Sequence, residues 1–539
     1  MIAVHVAEAE RRVVAEFFEL FKTPWEFFHE GSRAEVVLSS RTDVPPTDAK
    51  LVLIYGSHTG LNNRADRVAS TVKAGATLID YEGQKLPIYG GCATFTNAEA
   101  SGLTMSGTGE PVMSSTTDGP RLRHLIGYDL FQEIHHLLTR GQPAANAGIP
   151  ALEIHIALLR DLILKASIPL VEIPPVPAGA NLITCLTHDV DHVGIRNHKF
   201  DHTMFGFLYR ATFCSLRDFF VGRKSLPQLF ANWAAVVKLP LVHLGLARDF
   251  WYQFDHYVEI EGGARSTFFV IPRKGVAGCD RAGNSVAARA ASYDAADLAT
   301  HLQKLKSDGK EIGVHGIDAW RDSSAGSGEG EIISRLTDAG SLGIRMHWLY
   351  FDEQSPAELE RAGFIYDSTV GYNETVGYRA GTTQVYRPLA CDRLLELPMH
   401  AMDTALFYPS YLNLSPVQAR EKMSPLIAST VRFGGVFTVN WHDRSLAPER
   451  LWDGAYRDLL AECRAAGAWF ATAGETVAWF QKRRSARFVP AEDGRITITN
   501  GRGQDGLPGL CVRKHLPKPD GAEFVDHVLP EGGEMVLAA

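Results

Sequence analysis

The stretch LITCLTHDVD, residues 182–191, decides the fold class of this chain. Its first six residues form a short apolar run of the length of one buried strand, and His188, Asp189 and Asp191 follow directly. In parallel α/β folds the carboxyl ends of the strands carry the active site. The stretch therefore predicts a strand of a parallel sheet with chemistry at its end.

Short apolar runs continue to alternate with helical stretches beyond this point. The candidate strands are 182–187, 266–271, 311–315, 343–348, 394–399, 435–441 and 469–473. This alternation is typical of a parallel sheet covered by helices, and it predicts one such domain over residues 179–485. Residues 195–262 are rich in aromatic side chains and are predicted to form a helical insertion that packs over one side of the sheet.

Two further units are predicted on either side of this domain. Residues 1–178 combine strand-like runs at 51–56 and 86–91 with helical periodicity at 125–138 and 151–164, which predicts an accessory α/β domain. The proline-rich segment 173–181 is predicted to be the linker after it. Residues 486–539 combine alternating apolar residues with Gly/Pro turns, which predicts a small β-rich module.

The composition narrows the class of protein. The chain has 539 residues and a formal net charge of -8, which argues against a nucleic-acid-binding surface. The seven cysteines contain no C-x-x-C pair and favour a reducing compartment. The amino terminus shows no signal-peptide pattern, and the longest apolar stretch, 234–247, is too short to span a membrane. We expect a cytoplasmic, non-transmembrane protein, and the oligomeric state is left open.

Acidic and imidazole side chains recur where several predicted strands end. Besides Asp189 and Asp191, these residues are His315, Asp318, His347, His442 and Asp443. Asp and neutral His are common ligands of Zn²⁺, and a catalytic zinc site keeps one position open for water. A second carboxylate can accept a proton from that water, and a histidine can protonate the leaving group. The pattern therefore favours hydrolysis of an amide or an ester.

The motifs together resemble a known family. THDVD at 187–191, STFFV at 266–270, EIGVHG at 311–316, GYRAGT at 377–382 and WH at 441–442 are similar to the NodB-like polysaccharide deacetylases, which are carbohydrate esterase family 4-like enzymes. The resemblance implies a distorted (β/α) barrel and metal-dependent removal of N- or O-acetyl groups from a glycan. HGIDAW at 315–320 and GIRMHWLYFD at 343–352 resemble a divergent bacterial branch associated with exopolysaccharide or cell-surface glycan synthesis.

The resemblance also implies roles for individual residues. Asp189 matches the general base of the family and Asp191 its metal-binding aspartate. His315 matches the first metal histidine, Arg379 the arginine that orients the base, and His442 the general acid. The expected substrate-binding residues are Tyr378, Trp441 and Asp403.

One position departs from the family pattern. The family carries a second histidine four residues after the first, and here that position is Ala319. Asp318 or His347 could replace the missing ligand of a divalent ion, for which Zn²⁺ is the first candidate. We therefore expect a hydrolase acting on an acetylated glycan. The alternatives are a hydrolase of another non-peptide C–N amide, and a glycan-binding scaffold that has lost the metal.

Overall fold

The computed structural model describes residues 1–56, 70–73, 75–96, 102–490, 495–500, 506–518, 521–530 and 532–538. The chain divides into two compact units. The first comprises Met1–Gly179, Tyr378–Leu389 and Ala478–Ala539, and the second comprises Ala180–Gly377 and Ala390–Val477. The chain therefore enters the first unit three times, whereas the sequence predicts three consecutive domains over 1–178, 179–485 and 486–539.

The amino-terminal part of the first unit is an α/β structure. Its strands are β1 (Ile2–His5), β2 (Trp25–Phe27), β3 (Val36–Ser39), β4 (Leu51–Tyr55), β5 (Ser70–Lys73), β6 (Thr77–Tyr81), β7 (Gln84–Ile88), β8 (Cys92–Phe95), β9 (Leu103–Met105), β10 (Met113–Asp118), β11 (Arg121–Ile126) and β12 (Leu170–Glu172). Its helices are α1 (Arg11–Phe21), α2 (Leu130–Thr139) and α3 (Ala151–Lys165). Six strands form one sheet in the order β10-β11-β4-β3-β1-β2, parallel except for the β10–β11 pair. Strands β3 and β4 are buried throughout, as expected for a parallel sheet.

The carboxyl-terminal strands belong to this same unit. They are β22 (Arg487–Pro490), β23 (Arg495–Thr499), β24 (Cys511–Lys518), β25 (Gly521–Val528) and β26 (Glu534–Ala538). Strands β22, β23 and β26 form one antiparallel sheet, whereas β24 pairs with both β25 and β12. The predicted β structure of 486–539 is present, but it is not a separate module, because β12 supplies an edge of its second sheet.

The second unit carries the remaining strands and helices. The strands are β13 (Leu182–Val190), β14 (Ser266–Val270), β15 (Glu311–Gly316), β16 (Gly343–Met346), β17 (Tyr366–Asp367), β18 (Leu395–Glu396), β19 (Ala401–Met402), β20 (Val436–Asn440) and β21 (Ala468–Phe470). The helices are α4 (His202–Tyr209), α5 (Ser215–Phe220), α6 (Leu226–His243), α7 (Phe254–Glu261), α8 (Ala299–Ser307), α9 (Ser323–Thr337), α10 (Ser355–Ala362), α11 (Asp403–Phe407), α12 (Pro416–Phe433), α13 (Asp453–Ala465) and α14 (Ala473–Ser485), the last of which crosses into the first unit.

The sheet of the second unit is a distorted barrel. Its strand order is β18-β17-β16-β15-β14-β13-β20-β19, and β21 pairs with β13. All of these pairs are parallel. The two outermost strands, β18 and β19, are separated by only the four residues 397–400. A single segment thus pairs first with β17 and then with β20, which brings the two edges of the sheet together. The expected distorted (β/α) barrel is confirmed.

The insertion after β13 is helical, as predicted. It contains α4, a π-helical turn (Arg210–Cys214), α5, α6 and α7. One face of these helices forms a core cluster that includes Phe207, Leu239 and Trp251 together with Ala447 of the barrel. The insertion therefore packs on the barrel through one of its faces. Among the described residues, no helix combines the length and the apolar character that crossing a membrane requires.

Candidate metal centre and active site

Strand topology brings the predicted site residues to one rim of the barrel. Asp189 lies near the end of β13 and Asp191 just after it, His315 lies near the end of β15, and His347 and His442 follow β16 and β20. Parallel strands end on the same side of a sheet, so these side chains converge. They line a cavity of about 460 Å³ in the second unit.

Three of these side chains form a group that could hold a metal ion: Asp191, His315 and His347. Nε2 of His315 and Nδ1 of His347 lie 3.3 and 3.4 Å from Oδ1 of Asp191, and 3.0 Å from each other. In a tetrahedral zinc site with bonds of about 2.1 Å, ligand atoms lie about 3.4 Å apart. The spacing of the three atoms therefore suits one small divalent ion.

The surroundings of the group fit the same purpose. Oδ1 of Asp191 is buried and accepts no hydrogen bond within the described residues, although such atoms are rarely left unsatisfied. Nδ1 of His315 lies 2.9 Å from the carbonyl oxygen of Arg345. A proton on Nδ1 would donate to that carbonyl and leave the lone pair of Nε2 facing Asp191, which is the usual way in which a metal-binding histidine is oriented.

The charge states of the group also fit a cation. Burial lowers the pKa of His347, which favours the neutral imidazole that metals bind. Burial alone would raise the pKa of Asp191, but the imidazoles of His347, His315 and His442 lower it well below its usual range. Asp191 is therefore a carboxylate over the whole physiological range, and the set of one carboxylate and two imidazoles suits Zn²⁺ and related ions.

A second carboxylate, Asp189, is held beside this group by two donors. Arg345 Nη1 donates to its Oδ1 at 3.0 Å, and Asn440 Nδ2 donates to its Oδ2 at 2.8 Å. Burial opposes ionisation of Asp189, but the charge of Arg345 outweighs it with help from His315 and His442, so its pKa lies below the ordinary value. Asp189 Oδ2 lies 3.8 Å from His315 Nε2, close enough to share a small ligand with the metal group.

An imidazole–carboxylate pair faces the same group from β20. His442 Nδ1 lies 2.6 Å from Asp403 Oδ1, and the backbone amide of His442 donates to Asp403 Oδ2 at 2.7 Å. Burial lowers the pKa of His442, but Asp403 overcomes this effect and raises it to about 10. His442 is therefore protonated at neutral pH, with Nε2 directed towards Asp191 at 3.8 Å.

The structure places some predicted site residues away from this cavity. Oδ1 of Asp318 accepts the backbone amide of Cys279 at 3.0 Å, and Asp318 is not part of the three-residue group. Trp441 is fully buried against Tyr456 and does not line the cavity. Asp403 is buried and acts on His442, so its predicted contact with substrate is replaced by a positioning contact.

Two other predicted residues, Tyr378 and Arg379, lie in the first unit. The backbone carbonyl of Arg379 accepts the amide of Gln142 at 2.6 Å, which ties this segment to the amino-terminal part of the chain. The guanidinium observed on Asp189 belongs to Arg345, so the orienting role expected for Arg379 stays a prediction without support from the contacts of Asp189.

Several residues of the site were not singled out from the sequence. Arg345 and Asn440 hold Asp189, and the cavity wall also includes Trp348, Tyr408, Tyr411, Arg444 and Arg450. Arg345 leaves a signal, because it is the one charged residue in the buried strand GIRM and lies two positions before His347. A fully buried arginine needs an anionic or carbonyl partner, and this requirement could have pointed to the site.

The backbone next to His347 is strained. Trp348 and Leu349 adopt φ angles of 63° and 54°, in the left-handed region that bulky residues avoid. Both residues line the cavity. Strain of this kind collects at functional sites. Here it accompanies the turn that directs His347 towards Asp191.

Comparisons with known proteins give structural neighbours only. No family model matches the chain, and no curated protein matches it. The chain is similar in structure to a protein from Mycobacterium smegmatis that is described as a polysaccharide deacetylase, with 18% identity, a TM-score of 0.35, and coverage of 57% of this chain and 95% of the other. A protein from Pseudomonas aeruginosa that is also described as a polysaccharide deacetylase has 14% identity and a TM-score of 0.36, with coverage of 60% of this chain and 98% of the other.

The allantoinase Puue is a third neighbour, with 13% identity, a TM-score of 0.33, and coverage of 57% of this chain and 92% of the other. Likeness of this degree does not transfer residue roles or substrates from one chain to another. The solved structures that resemble this chain thus include two proteins described as polysaccharide deacetylases and one described as an allantoinase.

Proposed function

We propose that this chain is a metal-dependent hydrolase that removes N- or O-linked acetyl groups from a glycan. The observation that carries the proposal is the convergence of Asp191, His315 and His347 on one small volume, with Asp189 on one side and the His442–Asp403 pair on the other. This is the set of groups that hydrolysis requires: an ion site, a base and an acid.

The three-residue group supports the first part of the reaction. A divalent ion bound by Asp191, His315 and His347 would polarise the acyl carbonyl and make water more acidic. Asp189 is ionised and held by Arg345 and Asn440, so its carboxylate can accept a proton from a water beside the group. Because both donors fix the carboxylate in place, little reorganisation is needed when the proton is transferred.

The His442–Asp403 pair supports the second part. The departing amine or alkoxide needs a proton, and Nε2 of His442 carries one at neutral pH. Asp403 is fully buried, fixes the imidazole of His442 through Nδ1, and stabilises its positive charge. Asp189 and His442 thus have opposite protonation states in one cavity, as an acid and a base for the same reaction must have.

The remaining wall of the cavity fits a sugar. Trp348, Tyr408 and Tyr411 line it, and Trp348 and Tyr411 are 42% and 40% exposed. Partly exposed aromatic rings offer apolar faces on which sugar rings can pack, with a polar edge for hydrogen bonding. The wall therefore favours a saccharide over a small polar amide as the acetyl carrier.

The decisive experiment follows acetate release together with metal content. Zinc-loaded protein is incubated with acetylated oligosaccharides, N-linked and O-linked in parallel, and with small amides for which ammonia or formate is measured. We expect acetate from one class of saccharide. Asp189→Asn should keep the metal and lose acetate release. Ammonia or formate release without acetate would assign a different bond, and a wild-type protein that binds no divalent ion would overturn the proposal in favour of a scaffold.

A further inference from the structure

The helical insertion after β13 exposes an unusual number of large apolar side chains. On α6 these side chains recur every three or four residues along one face, at Leu226, Phe230, Trp233, Val237 and Leu241, with exposed fractions of 39–76%. A spacing of this kind forms one continuous stripe along a helix. We call these five residues the α6 stripe.

A second stripe runs along α4, the π-helical turn and α5. Phe205, Tyr209, Phe213, Leu216 and Phe220 again follow at steps of three or four residues, and all are exposed. We call these residues the α4–α5 stripe. Helix α5 packs beside α6, so the two stripes lie on neighbouring helices.

Neither stripe is needed for the core of the insertion. The opposite face of α4 contributes Met204 and Phe207, and the opposite face of α6 contributes Ala235 and Leu239, to the same buried cluster. Each helix is therefore apolar on two faces, one inside the core and one in water. Residues 200–246 hold 14 of the 24 exposed large hydrophobic side chains that the described residues present. Apolar surface concentrated in this way marks an interaction site.

The charges around the stripes are mainly positive. Residues 195–248, all of which the structure describes, contain eight Lys or Arg residues and two Asp residues, a net charge of +6 in a chain whose net charge is -8. Six of the cations are exposed, namely Arg196, Lys199, Arg217, Arg223, Lys238 and Arg248, whereas Asp201 and Asp218 are both partly buried. Residues 249–262 add four acids and no cation, so the net charge of the whole insertion is +2, and Arg217 and Arg248 pair with Asp218 and Asp255. The basic character therefore belongs to the part of the insertion that carries the stripes, where Arg196, Lys199, Arg223 and Lys238 are exposed without a carboxylate partner in the salt bridges of the described residues.

We propose that the two stripes and their flanking cations form a docking surface for an anionic lipid bilayer. Helices with Phe, Trp and Leu on one side and Lys/Arg beside them lie in the bilayer interface, where the apolar residues enter the acyl boundary and the cations meet the headgroups. A bilayer accepts an extended apolar area and an anionic layer at the same time, which is the combination that this surface presents. The attachment is interfacial and reversible.

The docking surface adjoins the wall of the active-site cavity. Arg223 Nη1 donates to Asn413 Oδ1 at 3.1 Å, two residues from the cavity-lining Tyr411. On the buried side of the insertion, Trp251 Nε1 donates to Glu449 Oε2 at 3.2 Å, next to the cavity-lining Arg450, so the core of the insertion is joined to the same wall. Attachment would therefore hold the cavity near the membrane surface.

The test is flotation of the full chain with vesicles of phosphatidylcholine and phosphatidylglycerol in equal parts, compared with vesicles of phosphatidylcholine alone. We expect binding to the anionic vesicles that is at least tenfold stronger than to the neutral ones, and that weakens in 0.5 M salt. Phe213→Ser with Phe220→Ser and Phe230→Ser should reduce binding at least tenfold. Lys199→Glu with Lys238→Glu should reduce binding to the anionic vesicles only.

A matched pair of variants controls for loss of exposed valine. Val221→Ser with Val237→Ser removes two side chains of the insertion, and Val417→Ser with Val431→Ser removes two exposed valines of α12. Only the first pair should weaken vesicle binding. Wild-type protein that ignores both kinds of vesicle, or binds them equally, overturns the proposal. A second outcome also overturns it: the wild-type protein is a dimer that does not bind vesicles, and the phenylalanine variant is a monomer. The surface would then bind a second copy of the chain.

Discussion

The pairing of His442 with Asp403 makes a prediction that needs no substrate. The pKa of His442 is raised from 6.5 to about 10. A pKa raised this far corresponds to about 5 kcal/mol of favourable interaction with the protonated imidazole. Burial works against this shift, and the nearest opposing charge is Asp403 at 2.6 Å.

Asp403→Asn removes that charge and leaves burial in place. Asp191 and Asp189 also raise the pKa of His442 and remain in this variant, but Asp403 has the largest raising effect, so we expect the pKa to fall and the protonated fraction at pH 9 to drop severalfold. The titration is followed by NMR of the labelled imidazole in metal-free protein. Ser445→Ala is the control, because it removes a neutral hydrogen bond to Asp403 Oδ2 and keeps the charge; it should move the pKa by less than about one unit.

The same pair sets a pH dependence of stability. Because the folded protein raises the pKa of His442 above its unfolded value, the stabilisation is fully present below about pH 6.5 and is lost as the pH rises towards 10. Asp403→Asn should lower the free energy of unfolding by about 3–5 kcal/mol at pH 6, measured with urea. A wild-type His442 that titrates near 6.5, or an unchanged titration in Asp403→Asn, would refute the assigned pair.

Three further predictions concern the barrel. Arg345→Lys should reduce acetate release at least 100-fold, because lysine cannot contact Asp189 and Ser368 at the same time as the guanidinium does. Arg379→Lys should change acetate release less than threefold. A larger effect of Arg379→Lys than of Arg345→Lys would restore the orienting role expected for Arg379. Glu261 is buried, yet its contacts with His188 and Lys310 lower its pKa to about 2, so its stabilisation is present above pH 4.5 and is lost as the pH falls towards 2. Urea unfolding of Glu261→Gln should show about 3 kcal/mol less of this acid-dependent loss, and an equal dependence on pH in both proteins would contradict it. Gly343→Ala would place a Cβ 1.8 Å from the ring of Tyr366, so we expect a loss of several kcal/mol or no folded protein, and an unchanged urea midpoint would exclude that contact.

Much of the barrel could be predicted from the chain because its signals are local. The run 182–187 is apolar over the length of one buried strand, and β13 begins at Leu182. The histidines and aspartates that follow the strands lie at one rim because all strands run in the same direction. His347 is found in the metal group for this reason, although the family spacing would have placed the second histidine at position 319.

The remaining features depend on contacts between distant segments, which a periodic pattern does not encode. Alternation in 486–539 predicts strands but not that β24 would pair with β12, more than 300 residues earlier. Tyr378 and Arg379 belong to a motif that resembles the family, yet their segment joins the first unit. The carboxylate of Asp189 accepts a hydrogen bond from Arg345 instead. Strand β16 lies three strands from β13 in the sheet, with β15 and β14 between them, and the long side chain of Arg345 reaches across this distance.

The aromatic residues of the insertion show a similar limit. Their number predicts packing, and one face does pack against the barrel. Hydrophobicity alone does not tell which of two apolar faces will be buried. The structure separates the two stripes from the core, and only then does their exposure call for an explanation.

The central claim is that Asp191, His315 and His347 bind one divalent ion. A crystal structure of zinc-soaked protein, with anomalous data collected at the zinc edge, tests it most directly. The account predicts a single strong peak within bonding distance of Asp191 Oδ1, His315 Nε2 and His347 Nδ1, and no peak at this position in His347→Ala. A peak coordinated by Asp318 instead, or no peak in the cavity, would contradict it.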